Sequence, residues 1–361
     1  MAQWNFSIMD TSPMLSYRPY SDGFGLQNGW QTWYTTSGFN TQPGESPEGN
    51  SYHLTSLSGA EVTFQFYGSA VYLFGTSNSS YEVTLDNTVN SLAPTDGLLY
   101  SNEGLIEGTH SVTLTARPTN AAQMLGFTEA IVSTSDQPTP IQTFYDNPNA
   151  ALSYSGQWTY DTVSGIPNSS VTAPFHQSLN AGSGVFFNFS NATAIALYGS
   201  TNFGHELYSV SIDNIAPNVY NGSTFWLVAN TVLFFQSGLD PDRSYTLNAT
   251  NLSPDGKFTL SSVVTYGLDT TQGSSPTTAG ALPSSSSKPS HSNPQSSAKI
   301  GKIVGPIVGA LVFLSLLALF FVFRTRYRRR PRDISTSISP LIIPRASEAP
   351  PETTQTPPAP L

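Results

Sequence analysis

The strongest constraint on the fold is an internal duplication. From Asn50 the chain reads "NSYHLTSLSGAEVTFQFYGSAVYLFGT", and from Ala173 it reads "APFHQSLNAGSGVFFNFSNATAIALYGST". His53 aligns with His176, Gly59 with Gly182, Val62 with Val185 and Phe66 with Phe189. A period of roughly 120 residues is a whole domain and not one unit of a solenoid. Both copies alternate apolar and polar residues with the two-residue period of a half-buried strand. In "EVTFQFYG" this puts Val62, Phe64 and Phe66 on one face, and "GVFFNFS" does the same in the second copy. Asp86-Asn87 and Asp213-Asn214 end corresponding strands with residues that favour turns. The starts match as well, "DTSPMLSY" at Asp10 with "DNPNAALSY" at Asp146, followed by Trp30 and Trp158.

The expected fold is all-β: two tandem jelly-roll β-sandwiches, over 1–135 and 140–269, joined by the short Pro-containing segment "SDQPTPIQ". Composition agrees. Charged residues are 10% of the chain and aromatics 12%, so most of it can bury a core, and helices rich in Glu and Lys are excluded. The net charge of −9 argues against nucleic acid as a partner. Cys is absent, which removes disulfides, Cys-ligated zinc and a thiol nucleophile.

After the repeats the composition changes. Residues 270–302 form a Ser/Thr/Pro-rich stalk with too few apolar side chains to collapse. Residues 303–323, "IVGPIVGALVFLSLLALFFVF", carry no charge. As a helix they span about 31 Å, a bilayer core. Arg324, Arg326, Arg328, Arg329, Arg330 and Arg332 follow at once, whereas Lys299 and Lys302 are the only cations on the other flank. That asymmetry predicts a type I single-pass protein of the plasma membrane, with the N-terminal domains outside and a disordered cytoplasmic tail over 324–361. N-x-S/T sequons agree: Asn5, Asn78, Asn168, Asn188, Asn191, Asn221, Asn248 and Asn251 all precede the helix. The N-terminal "MAQWNFSIMDTS" has neither a basic n-region nor an apolar run, so the signal peptide such a topology needs is expected from an upstream exon. Gly301, Gly305 and Gly309 fall on one helix face, either as a packing surface for a helix-mediated homodimer or at the ordinary Gly frequency of membrane helices.

The order "LSYSGQW…H…GSGVFFNFSNATAIALYGS…LYSVSIDN…LFFQSGLDPDRSYTLNATN…GKFTLSSVV" resembles a galactose-binding-like jelly roll, the fold of many carbohydrate-binding modules. The whole arrangement is similar to a group of uncharacterised single-pass membrane proteins of mushroom-forming fungi, with paired jelly rolls, a stalk, one helix and an Arg-rich edge. That resemblance implies a fold; it carries over no catalytic residue. This chain departs from the group in lacking a signal peptide.

Catalytic signatures are missing from the sequence. It contains no H-E-x-x-H, G-x-S-x-G, P-loop or G-x-G-x-x-G. His53 and His176 read either as shared ligand contacts or as histidines that hydrogen-bond a loop. No spacing among the acidic residues picks out the pair a glycosidase needs. Asp10 and Asp146 align, either as turn caps or as ligands of a structural Ca²⁺; no other cofactor is implied and the metal content is otherwise unknown. Sugar recognition calls for aromatic faces beside polar groups on a rigid scaffold. Trp30, Trp33, Tyr34, Trp158 and Tyr160 qualify, with Trp30 and Trp158 equally expected as core and Trp33 and Tyr34 freer. The expectation is therefore a recognition or adhesion ectodomain that contacts wall or extracellular glycans and signals through its tail. Its rivals are a membrane-anchored glycan or ester hydrolase and a structural partner of another membrane protein.

Overall fold

Alternation decides the strands. In Glu61–Gly68 every second side chain is buried, and in Gly184–Ser190 Val185, Phe187 and Phe189 are buried while Phe186, Asn188 and Ser190 face out. The computed structural model describes residues 4–39, 42–135, 139–161, 167–168, 171–172, 175–213 and 215–267. Among these the chain is all-β, with no α-helix. No helix there is long and apolar enough to cross a membrane. The 270–302, 303–323 and 324–361 segments, with Gly301, Gly305, Gly309 and the six arginines, lie outside the described residues.

Residues 4–134 form two antiparallel sheets facing each other across a core. One runs Thr95–Asn102, Ala70–Ser77, Leu125–Thr134, Ser51–Thr55, Gln31–Tyr34, Gly38–Phe39, with Trp4–Met9 also paired to Leu125–Thr134. The other runs Ser16–Arg18, Glu61–Gly68, Gly108–Arg117, Ser80–Leu85, Thr88–Leu92. Residues 141–267 repeat this order. One sheet runs Thr159–Asp161, Phe175–Ser178, Phe258–Gly267, Ala194–Thr201, Val228–Ser237, with Ile141–Asp146 on Phe258–Gly267. The other runs Leu152–Ser155, Gly184–Ser190, Ser244–Asn251, Leu207–Ile212, Asn218–Asn221.

The small devices repeat too. Asp86 and Asp213 take positive φ at equivalent turns, and each carboxylate accepts a backbone N–H, from Ser111 and Thr246. Buried Tyr81 and Tyr208 donate to the carbonyls of Leu99 and Leu233. Gly75 and Gly199 end "VYLFG" and "IALYG" because a Cβ there would collide with the carbonyls of Gly126 and Thr259 on the neighbouring strand.

The two sandwiches share apolar packing. Trp4, Phe6 and Ile8 belong to the same buried cluster as Val232, Phe235, Val264 and Tyr266. Phe6 stacks on Phe235 at 3.7 Å between ring centroids, and Trp4 lies 4.8 Å from Tyr266. Aromatic burial of this kind fixes two domains against each other far more firmly than a short linker can.

Candidate functional site

The seam between the sandwiches is built by two loops that the duplication does not share. Between the strands ending at Arg18 and beginning at Gln31, the first copy has a long connection containing Tyr20 and Asp22. The second copy joins Ser155 to Thr159 with only Gly156, Gln157 and Trp158. Conversely, the second copy carries the segment 222–227, where the first has only Ala93 and Pro94. These two insertions meet. The Tyr20 hydroxyl approaches Thr224 Oγ1 at 3.1 Å, and Phe225 N–H points at Asp22 Oδ2 at 3.5 Å. Gly44 N–H donates to the Phe225 carbonyl and Leu227 N–H to the Glu45 carbonyl. The Trp226 indole packs edge-on against Tyr34, with ring centroids 5.1 Å apart.

Behind this seal lies the first copy's histidine. His53 Nδ1 sits 2.8 Å from Asp10 Oδ2, and His53 Nε2 sits 3.0 Å from Thr32 Oγ1. Ser51 donates to the other Asp10 oxygen. Asp22 accepts Thr32 N–H at 2.7 Å and lies 3.2 Å from its hydroxyl. Tyr17 stacks on the imidazole at 3.9 Å and donates to the Asp10 carbonyl. Chains of charged and polar groups survive burial only when every member is satisfied, and here each finds partners. The order Asp, His, hydroxyl is that of a nucleophilic relay, but Asp10, Thr32 and His53 are 0%, 2% and 4% exposed. A substrate cannot reach that hydroxyl.

The second copy has the same histidine in a different setting. Tyr154 stacks on His176 at 4.1 Å and donates to the Asn147 carbonyl, as Tyr17 does to that of Asp10. His176 Nδ1 lies 3.0 Å from Asn147 Oδ1. The structural equivalent of Asp10 is thus Asn147. The Asp10–Asp146 alignment is out by one residue, because Asp146 is the exposed last residue of its strand and the next residue turns inward. The aligned carboxylates differ in setting: both Asp10 oxygens accept or face partners, Ser51 and His53, while the second copy supplies an amide at the equivalent place. Among the described residues no group of three metal-ligating side chains occurs. Tyr160 replaces Thr32 opposite the histidine; it is 55% exposed, with its ring 5.2 Å from the imidazole. Trp158 is half-buried and donates its indole N–H to the Ser155 carbonyl. Burial holds the His176 pKa below the usual histidine value.

Several clefts open along the seam. One, about 590 Å³, is walled by Tyr34, Asn50, Ser51, Tyr52 and Glu129 of the first sandwich and Val228 to Asn230 of the second. The Glu129 carboxylate makes no hydrogen bond or ion pair with another described residue. Trp33 lies beside this groove, its ring 5.5 Å from Tyr52 and 6.4 Å from Phe39, which is 41% exposed. A smaller cleft, about 370 Å³, runs between Thr11–Tyr17 and Val219–Thr224, with Asp10 and His53 lining its floor.

The expected ligand residues therefore separate. Trp30 is fully buried and Tyr34, though it lines the groove, is 5% exposed, so neither presents an open face. His53 is sealed, and Trp33 flanks the groove. Trp158, Tyr160 and His176 come together at an open surface. Tyr52 and Glu129 escaped sequence reasoning because only the seam gives them a cleft to line. Of the sequons, Asn5, Asn78, Asn188, Asn191 and Asn221 are exposed and Asn248 is half-buried. The Asn168 side chain lies outside the described residues. Asn251 is 1% exposed, and its amide donates to the carbonyls of Ser178 and Gly256, so the folded sandwich has no room for a glycan there.

Another histidine, His205, is buried in the second sandwich with Nε2 3.0 Å from Thr259 Oγ1 and Nδ1 unpartnered. Burial, with the Lys257 charge as the lesser cause, pushes its pKa down to about 3, which keeps it neutral and structural.

No protein-family model matches the chain. No curated protein matches it either. Similar solved structures include a family two carbohydrate esterase from Cellvibrio japonicus, 13% identical over 37% of this chain and 35% of that one, with a TM-score of 0.27. Another is the N-terminal CBM22-1-CBM22-2 tandem domain of Xyn10C from Paenibacillus barcinonensis, 10% identical over 73% of this chain and 99% of that one, at 0.23. A third is an isomalto-dextranase of Arthrobacter globiformis T6 complexed with panose, 12% identical over 66% and 40%, at 0.24. The chain spans about a third of the esterase's length. At such identities and scores these likenesses assign no activity to this chain.

Proposed function

We propose that this chain is a cell-surface carbohydrate-recognition protein that holds a wall or extracellular glycan in the seam groove. In this reading the two sandwiches stand outside on the 270–302 stalk. Residues 303–323 anchor them in the plasma membrane, and the 324–361 tail lies in the cytosol.

The observation that carries the binding clause is the groove itself. Its volume of about 590 Å³ suits a small-molecule or oligosaccharide segment, and its walls combine a ring, Tyr52, with amides at Asn50 and Asn230 and the unpartnered Glu129 carboxylate. Such groups suit sugar rings, whose C–H faces lie on aromatics and whose hydroxyls seek amides and carboxylates. The two larger clefts between the sandwiches have a single lining carboxylate each, Glu129 in one and Asp10 in the other. A two-carboxylate glycosidase needs its pair about 5–10 Å apart, so binding without cleavage is the better-supported reading.

The test is calorimetric titration of the full chain in detergent with xylohexaose, cellohexaose, laminarihexaose and chitohexaose. Tyr52→Ala and Glu129→Gln are expected to weaken the binding of an accepted oligosaccharide by about tenfold or more. Undiminished affinity in both variants would remove the groove from the proposal. For the surface clause, N-glycosidase treatment of the protein from its source cells should lower its mass in steps of one glycan; an unchanged mass would sink it.

A further inference from the structure

The duplication supplies an internal control for one position. In the first sandwich the imidazole has a hydroxyl at its Nε2, Thr32 Oγ1 at 3.0 Å, and the second sandwich's segment closes over it. In the second sandwich Thr32 has become Tyr160, so the imidazole has lost its hydroxyl partner, and among the described residues the covering segment has no counterpart. His176 Nε2 makes no hydrogen bond to a described residue.

The chemistry of that nitrogen can be worked out from its neighbours. Asn147 Nδ2 donates to the Ser261 carbonyl at 3.0 Å, which fixes the amide orientation and leaves Oδ1, an acceptor, facing His176 Nδ1. Nδ1 must then carry the proton, and Nε2 of the neutral ring carries a lone pair. Burial favours the neutral ring at ordinary pH. Tyr154 stacked behind the ring holds it in place. The result is a fixed hydrogen-bond acceptor, beside a Tyr160 ring that is more than half exposed and a Trp158 edge 6.4 Å away.

We propose that this face of the second sandwich is a second binding site for a sugar ring, in which His176 Nε2 accepts a ligand hydroxyl and Tyr160 lies against the ring's C–H face. The ligand hydroxyl takes the place that Thr32 occupies in the first copy. The proposal rests on the glycan reading above but on a different surface, so the chain would hold a glycan at two points. Two linked sites raise the effective affinity for a long polymer above that of either alone.

The experiment uses the full chain in detergent with the same four hexaoses. Calorimetry gives stoichiometry, and ¹⁵N-histidine spectra report the tautomer and the Nε2 shift. His176→Phe keeps the stack on Tyr154 and removes the acceptor; Tyr160→Ala alters an exposed ring and leaves the fold intact. Expected are an Nδ1–H tautomer for His176, an Nε2 shift on titration, two sites per chain, and loss of one site in either variant. A site lost in Tyr52→Ala but intact in both His176→Phe and Tyr160→Ala overturns this inference and leaves the groove standing. The reverse pattern supports the second site and overturns the groove. Absence of binding by all four hexaoses, or an Nε2–H tautomer, overturns the second site.

Discussion

The two sandwiches have the same strand order, the same buried tyrosines and the same histidine, yet one histidine is walled in and the other faces out. The first copy's long Tyr20–Asp22 connection and the second copy's 222–227 segment close over His53 together, and among the described residues no equivalent pair of segments covers His176. The partners follow the setting. A sealed imidazole is matched with a carboxylate at Asp10 and a hydroxyl at Thr32; an open one is matched with a neutral amide at Asn147 and an exposed ring at Tyr160. Burial thus separates a structural use of one motif from a recognition use of the other.

The sharpest way to break that comparison is to remove the paired tryptophans. Trp30 is fully buried beside Tyr17, whereas Trp158 is half-buried at the open surface. Trp30→Ala is expected to destabilise the chain by about 3–5 kcal/mol, the cost of truncating a large buried ring. Trp158→Ala should cost well under half of that and should fall mainly on sugar binding. Chemical denaturation of both variants measures the difference; equal costs would mean that the second site is as closed as the first.

Next in size is the pH response of His205, which is buried in the second sandwich with one ring nitrogen without a partner. Its folded pKa, about 3, is below the unfolded value near 6.5. The unfolded chain therefore gains a proton in the window where the folded chain does not. The stability contributed is fully present above about pH 6.5 and is lost as pH falls toward 3, at up to roughly 1.4 kcal/mol per pH unit. Unfolding measured between pH 7 and 4 should show this slope in wild type and a flatter one in His205→Asn.

Much of this was legible beforehand. Period-two alternation marks the strands, since each sheet buries one face, and the repeated Asp-Asn pairs mark turns. The spacing between copies, 123 residues from His53 to His176 and 127 from Asp86 to Asp213, says that their loops differ. What the alternation could not show is where two inserted loops meet: Tyr20 with Thr224 and Glu45 with Trp226 are contacts across some 180 or more residues, set by domain packing and not by local pattern. That is why Trp33 and Tyr34, adjacent in sequence and alike in type, part company, and why Tyr52 and Glu129 went unnoticed. The Asp10 and Asp146 alignment failed for a local reason: a strand's side chains alternate, so a shift of one residue exchanges inside for outside.

A smaller change asks whether the first copy tolerates the second copy's partner. Asp10→Asn preserves shape and removes charge. One amide oxygen still accepts from His53 Nδ1, and the amide NH₂ then faces Ser51, whose hydroxyl can rotate to accept. The expected cost is about 1–2 kcal/mol, a charge-assisted bond replaced by a neutral one. A larger loss would show that the carboxylate is needed for more than this geometry, and it would separate the two histidine sites in kind and not only in exposure.

The smallest effect sharpens the open site. Among the described residues, Tyr154, Trp158, Tyr160 and Asn147 pack around His176, and Asp161 is the carboxylate on the paired strand, opposite Phe175. Since burial lowers the His176 pKa, the acceptor at Nε2 persists through neutral pH and is lost when the ring takes a proton in acid. Protonation turns that nitrogen into a donor, so a sugar hydroxyl that had donated to it must reorient. One neutral hydrogen bond of about 1 kcal/mol corresponds to about a fivefold change in affinity. Titrations above and below the His176 pKa, located in the same ¹⁵N spectra, should therefore show about that much weakening at the second-sandwich site, in step with protonation of the ring. A pH-independent affinity at that site would assign its binding to Tyr160 stacking and leave the imidazole as a spacer.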